Sequence, residues 1–238
     1  MIHDMTPITV VCFLWRTSDG RHNHLYEYDV HYVNKLRSML GRHLSLAHEL
    51  VCCTDIPEGL HPDIRVVPTP AEVVDWPGML RRLVIFREDA AELFGKRILL
   101  IDLDVVILRD IAPLVDRPED FVTWEPRLYY HFKGQYSRYN TGFLLMDAGA
   151  RPQVWDEFSV ERAQRELGAK HQGVVDEQAW ITHILGPDET VWPWDGDVRL
   201  VRATPDPQSA RIVFFNGPRA PGMAAMQAEY PWIVEYWL

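Results

Sequence analysis

The feature that most constrains this chain is a run of four apolar residues closed by two aspartates, Ile98-Leu99-Leu100-Ile101-Asp102-Leu103-Asp104. A run that is apolar at every position has no solvent face, so it predicts a strand buried on both sides at the centre of a parallel sheet. Gly95 stops a helical pattern just before it, and Lys96-Arg97 lead into the strand. The aspartates fall where the strand runs out. Positions i and i+2 of an extended segment project to the same side, so both carboxylates face one crevice. Open α/β sheets bind their ligands at those carboxyl ends. Two carboxylates among Ile101, Leu103, Val105 and Val106 are costly to desolvate without a cation. Hard oxygen ligands select Mg²⁺ or Mn²⁺, which bridges carboxylate to phosphate. The plainer reading is a pair of aspartates that end a strand and cap the turn towards Asp110, and a motif this short needs context.

The surrounding pattern supplies that context. Ile8–Trp15 reads as a buried strand, followed by a polar loop over Arg16–His24. Val30, Val33, Leu36, Leu40 and Leu44 recur at helical spacing and predict a helix from about Tyr28 to Leu44. Leu50–Thr54 and Ile64–Val67 read as strands, and the apolar positions from Leu80 to Phe94 as one helix ended by Gly95. This alternation predicts an α/β fold with a Rossmann-like, mostly parallel central sheet and flanking helices. After residue 120 the rhythm becomes mixed. Strands are expected at Phe121–Trp124, Phe143–Met146 and Ile212–Phe215, and helices at Pro152–Leu167 and Glu177–Leu185. No repeat or linker divides the chain, so residues 1–238 are expected to form a single domain.

The formal net charge is −10, with no basic block or basic helix, which argues against nucleic acid as a partner. An acidic protein still binds an anionic diphosphate where a metal ion and a few local cations neutralise it. Cys12, Cys52 and Cys53 lack disulfide or zinc spacing and read as buried thiols. The N-terminus carries no leader pattern, and no apolar run approaches the roughly 20 residues of a membrane span. The expectation is a cytoplasmic protein without a membrane span. The aromatic tail Tyr230–Leu238 reads as a packed terminal segment.

With these residues in place, the sequence resembles the family-8 retaining glycosyltransferases and a related bacterial group, roughly from Val10 to Pro221. The resemblance runs through Cys53-Thr54-Asp55, Gly78 to Arg82-Leu83, the Asp102-Leu103-Asp104 motif, Tyr139-Asn140-Thr141-Gly142, and Asp176-Glu177-Gln178 opening a helix. It implies a glycosyltransferase A-type fold, with a nucleotide-binding half to about residue 120 and a donor-sugar and acceptor half beyond it. It further implies a nucleoside-diphosphate sugar donor (a UDP-sugar first), Mn²⁺ or Mg²⁺, a glycan or small-molecule acceptor, and hexosyl transfer with retention. Residue by residue, Asp102 and Asp104 match the metal-binding motif, with Asp102 also at the donor. Arg82, Asn140 and Thr141 match donor contacts, and Thr17 and Gly217 are placed with the donor as well. Gln178 matches a position beneath the anomeric carbon. Glu177 stands where an aspartate is usual, and is the sequence candidate for a nucleophile.

The pattern departs from the family near its end. A His-Gly-x-x-Lys-Pro motif is usual, whereas this chain has Asn216-Gly217-Pro218-Arg219-Ala220-Pro221. Asn216 takes the place of the third metal ligand as an amide oxygen, and Arg219 that of the phosphate-binding lysine as a planar fork. These changes leave open a weakened sugar-nucleotide-binding protein of the same fold. A haloacid-dehalogenase-like phosphohydrolase shares the strand–Asp-x-Asp motif but also needs a Ser/Thr and a Lys beside it. Asp195-Gly196-Asp197 reads as a turn. Trp192 and Trp194, or Tyr129–Phe132, are candidates for an acceptor platform, and Trp15 and Tyr26 for stacking on a base.

Overall fold

The computed structural model describes residues 7–15, 28–126, 137–168, 175–204, 206–216 and 219–238. The central strand spans Arg97–Ile101 (β4) and lies inside a sheet with β1 (Ile8–Leu14), β2 (His48–Thr54), β3 (Arg65–Val67), β6 (Phe121–Trp124), β7 (Asn140–Asp147) and β8 (Val191–Trp192). The order is β3-β2-β1-β4-β7-β6-β8. β1 pairs in parallel with β2 and β4, and β2 with β3. β7 pairs antiparallel with both β4 and β6, while β8 is parallel to β6. Within this sheet β7 alone runs against the rest.

Successive side chains of a strand point to opposite faces, and here both faces are apolar. Leu99 and Ile101 pack into one core, and Ile98 and Leu100 into the other. Helix α1 (Val30–His43) covers the first face with Val33, Leu36, Met39 and Leu40. Its N-terminus is closed by Asp29, whose side chain accepts from the His31 N–H at 2.9 Å. On the second face lie a 3₁₀ helix (Gly78–Phe86), α2 (Ala90–Phe94), α4 (Gln153–Asp156), α5 (Val160–Leu167) and α6 (Glu177–Leu185).

Two expected helices are broken. The pattern from Leu80 to Phe94 splits at Arg87, and every residue from Leu80 to Phe86 is buried. A helix with no exposed face gains nothing from an amphipathic period, and the tighter 3₁₀ form seats all of its sides. The expected helix over Pro152–Leu167 stops at Asp156 and restarts at Val160, with the Ser159 hydroxyl accepting from the Arg162 N–H at 3.0 Å.

A second, three-stranded sheet was not anticipated. β5 (Val105–Ile107), β9 (Val198–Leu200) and β10 (Ile212–Phe214) assemble in the order β5-β10-β9. β10 is antiparallel to β5 and parallel to β9. α3 (Ala112–Val115) follows β5 in the chain, and α7 (Ala224–Glu229) and α8 (Ile233–Tyr236) are its last helices. The tail packs as expected, with Trp232, Ile233 and Trp237 buried in the α1 core. All three cysteines are buried and free.

Candidate functional site

Three backbone junctions build the site. β4 ends at Ile101, and the Asp102 N–H donates to the Gly142 carbonyl at 3.0 Å. Because β7 runs antiparallel to β4, its first residues Asn140, Thr141 and Gly142 lie at the carboxyl edge where Asp102 emerges. The Asp104 carbonyl accepts from the Phe215 N–H at 2.8 Å, which sets the end of β10, and Asn216 after it, beside the second aspartate. α6 supplies the third side. Asp176 is spent as its N-cap, accepting from the Ala179 N–H at 2.8 Å, and Glu177 and Gln178 form the first turn.

Asp102, Asp104, Asn140, Gln178 and Asn216 converge on a cavity of about 120 Å³, with Trp124, Leu200, Phe214 and Phe215 completing its wall. Gly142 allows the closest approach. A Cβ there would stand 2.6 Å from Asp102 Oδ2 and 2.8 Å from Asn140 Oδ1, so a side chain would push these oxygens apart. The Asn140 oxygen is held by the Gly142 N–H at 2.7 Å.

Behind this rim stands a buried charged cluster. Arg82 and Glu177 are 2% and 1% exposed. One guanidinium nitrogen of Arg82 donates to Glu177 Oε1 at 3.2 Å, and the other donates to Asp102 and, at 3.3 Å, to the Thr141 carbonyl. The Thr141 hydroxyl donates to the same Glu177 oxygen at 2.7 Å. Burial pushes the Glu177 carboxyl up to about 7, opposed by the Arg82 charge. Burial also raises the Asp104 carboxyl well above the carboxylate range, and the neighbouring Asp102 charge adds to the rise.

Among the described residues, Asp102, Asp104 and Glu177 face the guanidinium of Arg82. A divalent cation fits this donor set, with two carboxylates and the Asn216 amide around one cavity and no nitrogen or sulfur ligand required. Among the described residues no group of three or more His, Cys, Asp or Glu side chains is arranged to hold a metal ion.

The sequence-predicted residues divide into groups. Asp102, Asp104, Asn140, Gln178 and Asn216 line the cavity, while Arg82, Thr141 and Glu177 stand behind its wall. Arg219 is half-buried and does not line the cavity. Thr17 and Gly217 lie outside the described residues, as do Tyr26 and Tyr129–Phe132. Trp15 carries the Arg81 guanidinium 5.6 Å from its ring centroid. Trp192 is buried against Phe143, with ring centroids 4.6 Å apart, and offers no platform, whereas Trp194 is 37% exposed. Asp197 accepts from Arg109 and Arg211, in keeping with a turn rather than a metal site. None of the described cavity residues is Ser, Thr or Lys. The sequence reading missed Trp124, Phe214 and Phe215. Aromatic residues read as core in a sequence, and only their position marks them.

No protein-family model matches the sequence, and no curated protein matches it. Solved structures do. The galactosyltransferase LgtC, in complex with donor and acceptor sugar analogs, superposes over 96% of this chain and 96% of its own, at 13% identity and a TM-score of 0.59. The apo glycosyltransferase GlyE of Streptococcus pneumoniae TIGR4 matches 98% of this chain at 11% identity and a TM-score of 0.60, and this chain spans 61% of it. The bifunctional glycosyltransferase WbbM matches 99% at 12% identity and a TM-score of 0.57, and this chain spans 52% of it. The chain has the glycosyltransferase A-type fold. In that fold the expectation of a mostly parallel sheet with flanking helices is met, and the reversal of β7 accounts for the mixed second half. No helix among the described residues is long and apolar enough to cross a membrane.

Proposed function

We propose that this chain is a metal-dependent, retaining glycosyltransferase. It moves a hexosyl group from a nucleoside-diphosphate sugar, with a UDP-sugar the first candidate, to a glycan or small-molecule acceptor. The observation that carries this reading is the convergence of Asp102, Asp104, Asn140, Gln178 and Asn216 on one cavity at the carboxyl edge of β4. The shared fold supports sugar transfer as the general chemistry, though a fold alone does not assign a reaction.

Asp102, Asp104 and the Asn216 amide would hold Mn²⁺ or Mg²⁺, which when bound supplies Lewis-acid stabilisation of the departing diphosphate. Arg82 fixes Asp102 from behind, so that this carboxylate meets its ligand already oriented. Asn140, held by the Gly142 N–H, presents its amide to the donor sugar. In the transfer itself the bond from the anomeric carbon to the diphosphate oxygen breaks. The acceptor oxygen bonds to that carbon, and its proton passes to the diphosphate. Glu177 directs one oxygen at Arg82 and Thr141, and the cavity-lining neighbour is Gln178. That arrangement favours same-face transfer, with the Gln178 carbonyl oxygen near the developing positive charge, over attack by a Glu177 nucleophile.

Melting curves with a panel of nucleoside diphosphates and their sugars, with and without Mn²⁺, test the reading, because ligand that binds the native state raises Tm. A metal-dependent rise for one nucleotide, followed by turnover of its sugar, is expected. Binding without turnover would indicate a sugar-nucleotide-binding protein. No rise with any nucleotide would overturn the proposal.

A further inference from the structure

Beside its polar residues the cavity is lined by Trp124, Leu200, Phe214 and Phe215. Trp124 is 1% exposed, and its indole nitrogen is buried with no hydrogen-bond partner among the described residues. An indole N–H can only donate, and a buried donor is costly to leave unpaired. Trp192, Trp232 and Trp237 also carry buried indole nitrogens without a partner among the described residues, but of these four Trp124 is the one that lines the cavity. Its place is set by a break in the β6–β7 ladder. Thr123 pairs with Leu144, whereas the next residue, Trp124, pairs with Asn140. Such irregularities re-aim side chains beside active sites. Paired residues of antiparallel strands share a face, and Trp124 and Asn140 both line the cavity. The Thr123 hydroxyl donates to the Asn140 carbonyl at 3.0 Å and fixes the junction. From the second sheet, Phe214 stacks on the indole with ring centroids 5.2 Å apart.

We propose that Trp124 is a specificity residue for the transferred sugar, its indole N–H donating to a sugar hydroxyl oxygen beside the Asn140 amide. The inference rests on the donor-sugar reading of the cavity given above. The Asn140 side-chain oxygen is taken by the Gly142 N–H, so its NH₂ is the group it offers a ligand. Trp124 and Asn140 together supply neighbouring donors, and a hexose carries hydroxyl oxygens on adjacent carbons to meet them. The rings of Trp124, Phe214 and Phe215 add apolar surface for the C–H face of the same sugar, in keeping with sites that combine aromatic walls and a few polar groups. The oxygens of a bare diphosphate go instead to the ion held at Asp102 and Asp104. Trp124 therefore separates a sugar-bearing nucleotide from a bare one, and a sugar with the matching hydroxyl from one without it.

The test compares UDP with UDP-glucose and UDP-galactose, or the corresponding pair for whichever base binds. On wild type, the indole N–H signals of nitrogen-15-labelled protein are followed by NMR with Mg²⁺, which does not broaden them. The signal missing from Trp124→Phe, or from Trp124→Tyr where the first variant does not fold, identifies Trp124. It is expected to move downfield with a nucleotide sugar and to move little with the bare nucleotide. In calorimetric titrations with Mn²⁺, Trp124→Phe, which keeps an aromatic ring against Phe214, should bind the nucleotide sugar about tenfold more weakly. Its affinity for the bare nucleotide should change less than about twofold. An indole signal that ignores the bound sugar would overturn the role and leave the proposed function standing. Equal losses for nucleotide and nucleotide sugar in the variant would do the same, by making Trp124 a wall residue only. A wild-type protein that binds no nucleoside diphosphate and none of their sugars, with Mn²⁺ or Mg²⁺, would overturn both.

Discussion

Two groups of polar residues meet at the carboxyl edge of β4, and they are built on opposite principles. Arg82, Glu177 and Thr141 form a closed cluster whose members bond chiefly to one another in a dry interior. Asp102, Asp104, Asn140 and Asn216 form a rim around an open cavity, where burial and the Asp102 charge raise the Asp104 carboxyl. The first arrangement serves the fold, and the second is the one we propose serves a ligand. The difference teaches that the family-like residues here are not one site but a support and the surface it supports, joined at the contact between Arg82 and Asp102.

Breaking the support should have the largest effect on stability. Glu177→Ala leaves the buried Arg82 with Asp102 as its remaining counter-charge and should lower unfolding free energy by about 3 kcal/mol, the scale for removing one partner of a buried pair. Denaturant unfolding at pH 8 measures it, and a loss below about 1 kcal/mol would erase the distinction between the two groups. Breaking the rim should act the other way. Asp104→Asn should weaken metal-dependent nucleotide binding about 100-fold, roughly 2.7 kcal/mol, in a calorimetric titration. Its metal-free stability should hold or rise, because burial and the Asp102 charge disfavour the Asp104 carboxylate.

Gly142→Ala probes the contact between support and rim. Its Cβ would crowd Asp102 Oδ2 and Asn140 Oδ1, so a stability loss of about 1–2 kcal/mol should accompany weaker nucleotide binding. An unaltered affinity would show that these two oxygens need not converge.

The pH dependence of the metal-free protein gives the gentlest test. The Glu177 carboxyl, ordinarily near 4.5, stands at about 7 in the folded chain. The folded state therefore binds more protons than the unfolded chain between those values. This group's contribution is fully present below about 4.5 and is lost as pH rises to about 7. The slope is at most about 1.4 kcal/mol per pH unit. Unfolding of wild type and Glu177→Gln at pH 5 and pH 7.5 should show the variant losing less stability over that interval. Parallel behaviour would mean that Glu177 remains charged throughout.

Much of this molecule follows from local pattern. The apolar run Ile98–Ile101 dictated a strand buried on both faces, and its end at Ile101 sets both aspartates at its carboxyl edge. The period of Val33, Leu36 and Leu40 likewise determined the buried face of α1, and Glu177–Leu185 is a helix with the bounds its sequence predicts. Strand direction, by contrast, is not written in residue type. Phe143–Met146 reads the same whether it runs with β4 or against it, yet only the reversed direction of β7 carries Asn140 and Gly142 to Asp102. The strand at Ile212–Phe214 was legible, but its partners β5 and β9 were not, for a related reason: each of these short strands is held by pairing within the second sheet, not by a period of its own. Neither did the order Asp176-Glu177-Gln178 reveal which residue caps the helix, which pairs with Arg82 and which faces the cavity. Successive residues of a helix point about 100° apart, so the packing of α6 against the 3₁₀ helix chose among them. The sequence alone determined which chemistry was available at the edge of the sheet, because spacing along one strand is a local property. Tertiary structure decided which side chains use it, because direction, pairing and burial are settled only when distant segments pack.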